Sequence, residues 1–341
     1  MENKLVSKNR ITWVDTGKGI AIILIVMCHT NSNVIIDRWL AAFTVQLFFF
    51  LSGMFARGYR PIELFKKRWR VILIPYFSFA FITYLYWFFI ERHLRPSIVN
   101  PLQPFINIFI ARGGVENYIY NVPLWYLPCF FISEIIFSGL LYYFTNNNKR
   151  YAFPILLWLS SIIGYGLYTF ESPQLPWFLN VVPTTIVFIG LGYYYRNSGI
   201  KWLEEKTWKQ TLTMILLFIL TTISAIFVTV RVNLITNTMP PYFVFYAISI
   251  AGILLIIMIS NRIHLKWLEF CGKNSLIIMC IHEPIKRVII KITSLLLNYD
   301  IDLLRENFIA VIALTGLVVS ITIPIILFFN RFVPTLIGKS K

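Results

Sequence analysis

The sequence predicts an all-α, polytopic integral membrane protein with about ten transmembrane helices. Hydrophobic residues make up 57% of the 341 residues and charged residues only 13%, and the mean hydropathy is +0.70. So few charged side chains cannot cover the surface of a soluble protein of this length. The hydrophobic residues also fall in long runs, and a helix of about 20 apolar residues crosses a bilayer. Because no long hydrophilic stretch separates these runs, we expect one membrane domain over residues 1–341.

The hydrophobic runs give the expected limits of each span. We predict spans at residues 19–36, 39–56, 71–90, 122–144, 152–170, 179–195, 210–231, 241–259, 274–296 and 307–330. The longest connection on the external side is residues 91–121, which contains three prolines and a Gly-Gly pair. This composition is typical of a loop, and we expect this loop to cover the mouth of a cavity.

The distribution of basic residues predicts the orientation. With the N-terminus inside, 21 of the 31 Lys and Arg residues fall in cytoplasmic segments and 6 in external loops. This bias favours both termini in the cytoplasm of a multi-pass plasma or inner membrane protein. The net charge of +16 therefore does not indicate a nucleic-acid partner, because the cations lie in short clusters between apolar runs. Such clusters suit anionic membrane lipids or a polyanionic cosubstrate.

Ionisable side chains inside the spans are the first candidates for function, because their burial in a membrane is costly. Lys18 and His29 are eleven residues apart, which places both on one face of a helix and about 16 Å apart along its axis. This arrangement suits an elongated anionic ligand, with its phosphates at Lys18 and its reactive end at His29. A neutral imidazole can accept a proton from a hydroxyl near pH 7. Asp15 would lie about 21 Å from His29 on a straight helix, so it joins His29 as a second catalytic candidate only if the helix breaks at Gly17 or Gly19.

Two further spans carry ionisable groups. Glu134 in the fourth span is expected to pair with an arginine of another helix or to face a wet cavity. In the ninth span, Glu283 and Arg287 are four residues apart and could pair along the helix, and His282 is the second histidine candidate. No two histidines have the spacing of metal ligands, so no metal site is predicted. The four cysteines are expected to be reduced, because they show no paired spacing.

Five motifs, in this order along the chain, resemble those of the acyltransferase-three membrane family, in particular its fucose 4-O-acetylase-like sugar O-acetyltransferase branch. They are Trp13 to Ile20 with Met27-Cys28-His29, Phe48 to Phe55, Lys66 to Arg70 with Ile74-Pro75-Tyr76, Leu124 to Pro128, and Gly272 to Leu276 with His282-Glu283-Pro284. Each motif alone is weak, and their common order from about residue 11 to residue 284 makes the resemblance specific.

The resemblance implies transfer of an acetyl or other small acyl group from cytoplasmic acyl-CoA to a hydroxyl of a cell-envelope or exported polysaccharide. It implies that His29 is the catalytic base and that Lys18, Arg68 and Arg70 hold the acetyl-CoA cosubstrate. The family often has arginine where Lys18 stands, and Val71 stands where the second of two loop arginines is often found. The carbohydrate or lipid-linked glycan acceptor would bind in a cavity, whose expected lining residues are Ser52, Trp125, Glu134, Asn274 and His282.

Two other functions suit a polar cavity inside a membrane protein. The chain could be a transporter or flippase for a lipid-linked sugar, although it shows no paired broken helices of the kind common in secondary transporters. It could also be a non-catalytic export subunit for an exopolysaccharide. Acyl transfer by the purified protein would separate the enzyme from both alternatives.

Overall fold

A computed structural model describes residues 11–94, 98–198, 202–297 and 305–339. Over these residues the chain is helical, with one isolated antiparallel bridge between Asn233 and Thr238. The α-helices are α1 (Thr12–Thr30), α2 (Val34–Ala41), α3 (Thr44–Gly53), α4 (Pro61–Arg68), α5 (Ile74–Tyr86), α6 (Arg92–Leu94), α7 (Leu102–Ile110), α8 (Tyr126–Asn146), α9 (Phe153–Thr169), α10 (Val182–Asn197), α11 (Trp208–Phe227), α12 (Tyr242–Ser260), α13 (Lys266–Lys273), α14 (Ser275–Leu297) and α15 (Phe308–Phe332).

The all-α polytopic membrane fold is confirmed. Nine helical stretches within the described ranges are long and apolar enough to cross a membrane: 12–30, 34–53, 61–94, 122–146, 150–169, 176–197, 208–227, 242–260 and 308–332. The predicted span at 274–296 corresponds to α14, a helix of 23 residues that carries several charges. The outward faces are apolar, as a lipid environment requires. On α11, for example, Leu212, Ile215, Leu216, Ile219 and Ile226 are exposed.

The third span is a helix interrupted by wider turns. π-Helical turns at Trp69–Leu73 and Trp87–Glu91 separate α4, α5 and α6. Single π-turns inside α-helices are frequent at functional sites. The first of these turns begins directly after Arg68, so the change in helical winding coincides with the basic cluster.

The first span differs from its expected limits. The sequence predicts residues 19–36, whereas α1 begins at Thr12 and ends at Thr30. The helix starts earlier because Asp15, Thr16 and Gly17 are buried, and the short helix α13 packs against them. The connection 91–121 also differs from a plain loop, since α7 forms over Leu102–Ile110 with several side chains in the core.

Glycines allow two close helix crossings that hold the core together. A Cβ on Gly19 would lie 2.1 Å from the carbonyl oxygen of Leu268, and one on Gly272 would lie 1.8 Å from that of Asp15. Helices α1 and α13 therefore touch through their backbones. Gly53 and Gly192 play the same part between α3 and α10. Small residues at such crossings let membrane helices approach closely.

Candidate functional site

A cavity of about 410 Å³ lies among α1, α3, α4, α8 and α14. Its volume falls in the range of about 300–1,000 Å³ that is common for small-molecule sites. Most of its lining is apolar or aromatic, with Phe48, Tyr126 and Phe130 among the large side chains. The polar residues that line it are Lys18, His29, Ser52, Arg68, Trp125, Glu134 and Ser275. Lys18 and His29 thus lie on one cavity wall, as the helical spacing predicts.

An ion pair between α4 and α8 lines the cavity. The Nε of Arg68 lies 2.7 Å from Oε2 of Glu134, and its Nη2 donates to Oε1 at 2.9 Å. Ser52 donates a hydrogen bond of 2.5 Å to the same Oε1. Glu134 is buried whereas Arg68 is 37% exposed. The prediction that Glu134 pairs with an arginine of another helix is confirmed.

A second cavity of about 210 Å³ lies at the His29 end of α1. Ile25, His29, Val45 and Trp125 line both cavities. The second cavity is covered by the connection between α11 and α12, which contributes residues 231–235, and its remaining wall comes from α1 to α3 and from Val115 and Val122. His29 therefore lies in the wall between two cavities, and 30% of its side chain is exposed.

A carboxylate faces His29 from α14. Oε2 of Glu283 lies 3.8 Å from Nδ1 of His29, and the ring of His282 lies 5.2 Å from that of His29 between centroids. Nζ of Lys286 donates to the backbone carbonyl of His29 at 3.2 Å. Because the carboxylate faces Nδ1, a proton on that nitrogen is favoured, and Nε2 is then the free base.

Glu283 is itself held by two cations of its own helix. Lys286 contacts its carboxylate at 2.8 Å, and Nε of Arg287 donates to it at 2.8 Å. Arg287 also donates to Glu91 at 2.9 Å and to the carbonyl of Ile119 at 2.8 Å. The predicted pairing of Glu283 with Arg287 is confirmed. A buried carboxylate with such partners stays fixed and ionised, because each partner compensates part of its lost hydration.

His29, His282 and Glu283 bring three possible metal-ligand atoms within 4.8 Å of one another. The sequence predicts no metal site, because no two histidines have the spacing of metal ligands. The grouping arises instead from the packing of α1 against α14, which residue spacing does not reveal. Two of the three groups already have protein partners. The carboxylate of Glu283 binds Lys286 and Arg287, and Nδ1 of His282 is 2.9 Å from the carbonyl of Ile278.

The structure places the sequence-predicted residues in two groups. Lys18, His29, Ser52, Arg68, Trp125 and Glu134 line the larger cavity. The others lie outside the lining of both cavities as the described residues define it: Asp15, Arg70, Asn274 and His282.

Three residues of the second group have positions or hydrogen-bond partners away from the two cavities. α1 is continuous through Gly17 and Gly19, so Asp15 stays near the opposite end of α1 from His29. Arg70 donates to the carbonyl of Lys339. The side chain of Asn274 donates to the carbonyl of Phe270. Asn274 and His282 were expected to line the cavity. Neither is among the residues that line the two cavities, so both are corrected to supporting positions.

A polar cluster at the second cavity was not predicted from the sequence. Arg231 forms an ion pair with Asp37, and the Cys28 thiol donates to Asp37 at 3.3 Å. Burial alone would lower the pKa of Arg231, but its hydrogen bond and ion pair with Asp37 hold that pKa above its ordinary value. Arg231 was counted only as a loop charge and Asp37 was not considered, because 194 residues separate them and spacing along the chain carries no signal of their contact.

Gln46 was overlooked for a different reason. It lies within an apolar run of α3 and has no charge, so it is not among the ionisable groups that mark candidate sites inside spans. Its side chain is fully buried, and the residue belongs to the lining of the second cavity. A polar amide in the run Val45 to Leu51 is a signal that the sequence did contain.

Comparison with known proteins identifies the domain but not a close relative. A family model described as an acyltransferase domain matches residues 11–329. No curated protein and no solved structure matches the chain.

Proposed function

The chain belongs to the membrane acyltransferase family whose domain spans residues 11–329, and on this premise we propose that it is an O-acetyltransferase. The donor is acetyl-CoA or another small acyl-CoA from the cytoplasm. The acceptor is a hydroxyl of a cell-envelope or exported polysaccharide sugar, presented free or on a lipid carrier. The observation that carries this proposal is the position of His29, which faces a cavity with Lys18 and Arg68 on one side and a second cavity on the other.

The larger cavity suits the acyl donor. Lys18 and Arg68 supply two cations and Glu134 one carboxylate, so these groups together favour an anion. Lys18 and His29 are eleven residues apart on a continuous helix, or about 16 Å along its axis. This length allows the phosphates of the donor to lie near Lys18 while its thioester reaches His29. The apolar and aromatic walls would cover the arm between them.

The reaction follows from the orientation of His29. Nε2 of His29 takes the proton of the acceptor hydroxyl, and the oxygen attacks the carbonyl carbon of the thioester. The new C–O bond forms as the C–S bond breaks, and His29 returns the proton to the leaving thiolate. Glu283 acts as a positioning residue that holds Nδ1 of His29 protonated. General-base catalysis of this kind contributes roughly 10² to 10⁴ in rate.

The test compares His29 with a histidine outside the site. The purified wild-type protein should release CoA thiol and transfer labelled acetyl groups to envelope glycans. His29→Ala should lower this rate roughly 10²-fold or more with an unchanged melting temperature. His264→Ala is the matched control, because His264 is exposed in the connection after α12.

Full activity of His29→Ala would refute the assigned base. Absence of acetyl transfer by the wild type, together with uptake of labelled lipid-linked sugar into vesicles, would favour a transporter instead. Mass spectrometry of envelope glycans from cells with and without the gene would identify the acyl group by the mass that is lost.

A further inference from the structure

The second cavity contains a buried amide without a protein partner. Gln46 is 0% exposed, and neither its Nε2 nor its Oε1 has a hydrogen-bond partner among the described residues. A buried polar group in this state costs about 1–3 kcal/mol, and native proteins rarely keep such groups without a reason. Both atoms belong to a residue of the cavity lining, and a ligand whose polar groups reached them would satisfy them.

Two other polar side chains of this cavity already have protein partners. Arg231 binds Asp37, and the hydroxyl of Thr44 donates to the carbonyl of Leu40 at 2.8 Å. These contacts fix the wall and its charge, and they leave the amide of Gln46 as the group best placed to select a ligand. His29 and the ring of Trp125 line the same cavity.

The amide defines the chemistry of its ligand. A carboxamide offers donors on its nitrogen and acceptor lone pairs on its oxygen. Two adjacent hydroxyls match both, since one can donate to Oε1 while the other accepts from Nε2. A ligand pocket is mostly apolar with a few polar groups that fix orientation, and the apolar walls with Trp125 suit the C–H face of a sugar ring. The volume of about 210 Å³ is below the usual range for drug-sized ligands and suits a single ring.

We propose that this second cavity is the acceptor site and that Gln46 binds a vicinal diol of one sugar ring, with a hydroxyl of that ring directed at His29. The proposal rests on the proposed acyl transfer and specifies its acceptor. It assigns the two substrates to opposite sides of His29, with the donor in the larger cavity and the sugar beneath residues 231–235.

The first experiment measures binding without turnover. The probes are methyl α-glycosides of glucose, galactose, mannose and fucose, together with their singly deoxygenated analogues. At least one parent glycoside should raise the melting temperature of the wild-type protein in the absence of acyl-CoA. Removal of either hydroxyl of the bound diol should abolish this shift.

The variant Gln46→Leu separates recognition from structure. Because the amide has no protein partner, its replacement by an apolar side chain of similar size should leave the melting temperature equal or higher. The KM for the glycoside should rise about 10-fold or more, with the KM for acetyl-CoA unchanged. Thr83→Val is the control outside both cavities, because its buried hydroxyl is already bonded to the carbonyl of Phe79 within α5, and it should leave both KM values within about twofold.

The outcomes distinguish the two proposals. Acetyl transfer by the wild type with no change in Gln46→Leu would overturn the acceptor site and leave the acyltransferase intact. Glycoside binding that needs Gln46, without any acetyl transfer, would support the sugar site and overturn the proposed reaction. A fall in the melting temperature of Gln46→Leu at unchanged acceptor KM would show a structural amide and overturn the inference.

Discussion

Arg68 has a partner before any substrate arrives, and that partner sets up a competition. An incoming phosphate and Glu134 would bind the same guanidinium, which has five N–H donors in a fixed fork. We therefore expect Glu134→Gln to lower the KM for acetyl-CoA, because the ion pair is weakened while Ser52 can still donate to the amide oxygen.

The opposite change tests the same competition. Arg68→Ala should raise the KM for acetyl-CoA roughly 10-fold, since charge-assisted hydrogen bonds contribute about 1.5–3 kcal/mol. It also leaves Glu134 buried without its cation, so the melting temperature should fall. The double variant Arg68→Ala/Glu134→Gln should recover stability but not donor affinity. If Glu134→Gln, Arg68→Ala and the double variant all kept the wild-type KM for acetyl-CoA, a role of Arg68 in donor binding would be contradicted.

Glu283 allows a test of how His29 is positioned. Glu91, the other carboxylate bound to Arg287, provides the control. Glu283→Asp keeps the charge between Lys286 and Arg287 but draws the carboxylate away from His29. A displacement of about 1 Å can cost on the order of 10²-fold in rate. We expect kcat to fall 10-fold or more with an unchanged KM for acetyl-CoA. Glu91→Asp changes the other carboxylate bound to Arg287 and should leave kcat nearly unchanged. A similar loss in both variants would show that the cluster acts only on stability.

Single residues of the site, and the pairing of Glu283 with Arg287 along one helix, could be predicted from the sequence, but the identity of partners on other helices could not. Lys18, His29 and Glu134 stand out because an ionisable group inside a span is costly and so needs a reason. The pairing of Glu134 with Arg68, and of His29 with Glu283, depends on how distant helices pack. Gln46 carries no charge, so the sequence does not indicate the free-energy cost of burying its amide. The structure does, because no described residue bonds to that amide.

The helices α1 and α13 meet where the chain has no side chains to separate them. Gly19→Ala or Gly272→Ala would place a methyl group about 2 Å from a backbone carbonyl oxygen, and the helices would have to move apart. Overpacking of this kind typically costs about 1–3 kcal/mol. We expect each variant to lower the melting temperature and the acyltransfer rate, since Lys18 of the cavity lining directly precedes Gly19 on α1.

A glycine on α15 serves as the control for those variants. A Cβ on Gly316 meets nothing within 4 Å. Gly316→Ala should leave the melting temperature equal or raise it, because alanine favours a helix over glycine by about 1 kcal/mol. Equal melting temperatures for all three variants would contradict the close crossing.

The elements were predictable to different degrees. Apolar runs alone indicated the spans from 122–144 onward, since bilayer thickness fixes helix length. The predicted start of α1 was wrong, because Asp15 and Lys18 interrupt the apolar run. In the structure, packing against α13 lets the helix continue through both residues. The π-turn after Arg68 has no apolar signature at all. Helix α7 was hidden in a segment whose prolines and glycines resemble those of a loop.

The predicted orientation of the whole molecule in the membrane is open to a direct measurement. The bias of Lys and Arg predicts that both termini and Lys149 lie in the cytoplasm and that residues 231–235 lie outside. In a Cys28→Ala background, a cysteine in place of exposed Thr236 should react with an impermeant maleimide in intact spheroplasts. A cysteine in place of Lys149 should react only after permeabilisation. The reverse pattern would invert the molecule and place the donor cavity outside.

The position of His29 in the wall between the two cavities determines how charge moves during the proposed reaction. Under the proposed reaction, the acceptor hydroxyl gives up a proton on one side of the wall, and the thiolate gains one on the other. An acyl group, formally a single positive charge, leaves in the opposite direction. The exchange is therefore electrically silent, and the membrane potential, worth about 2.3 kcal/mol per charge at 100 mV, neither drives nor opposes it. The chemical energy of the thioester alone supplies the driving force, and a cell whose potential has collapsed could still modify its outer surface.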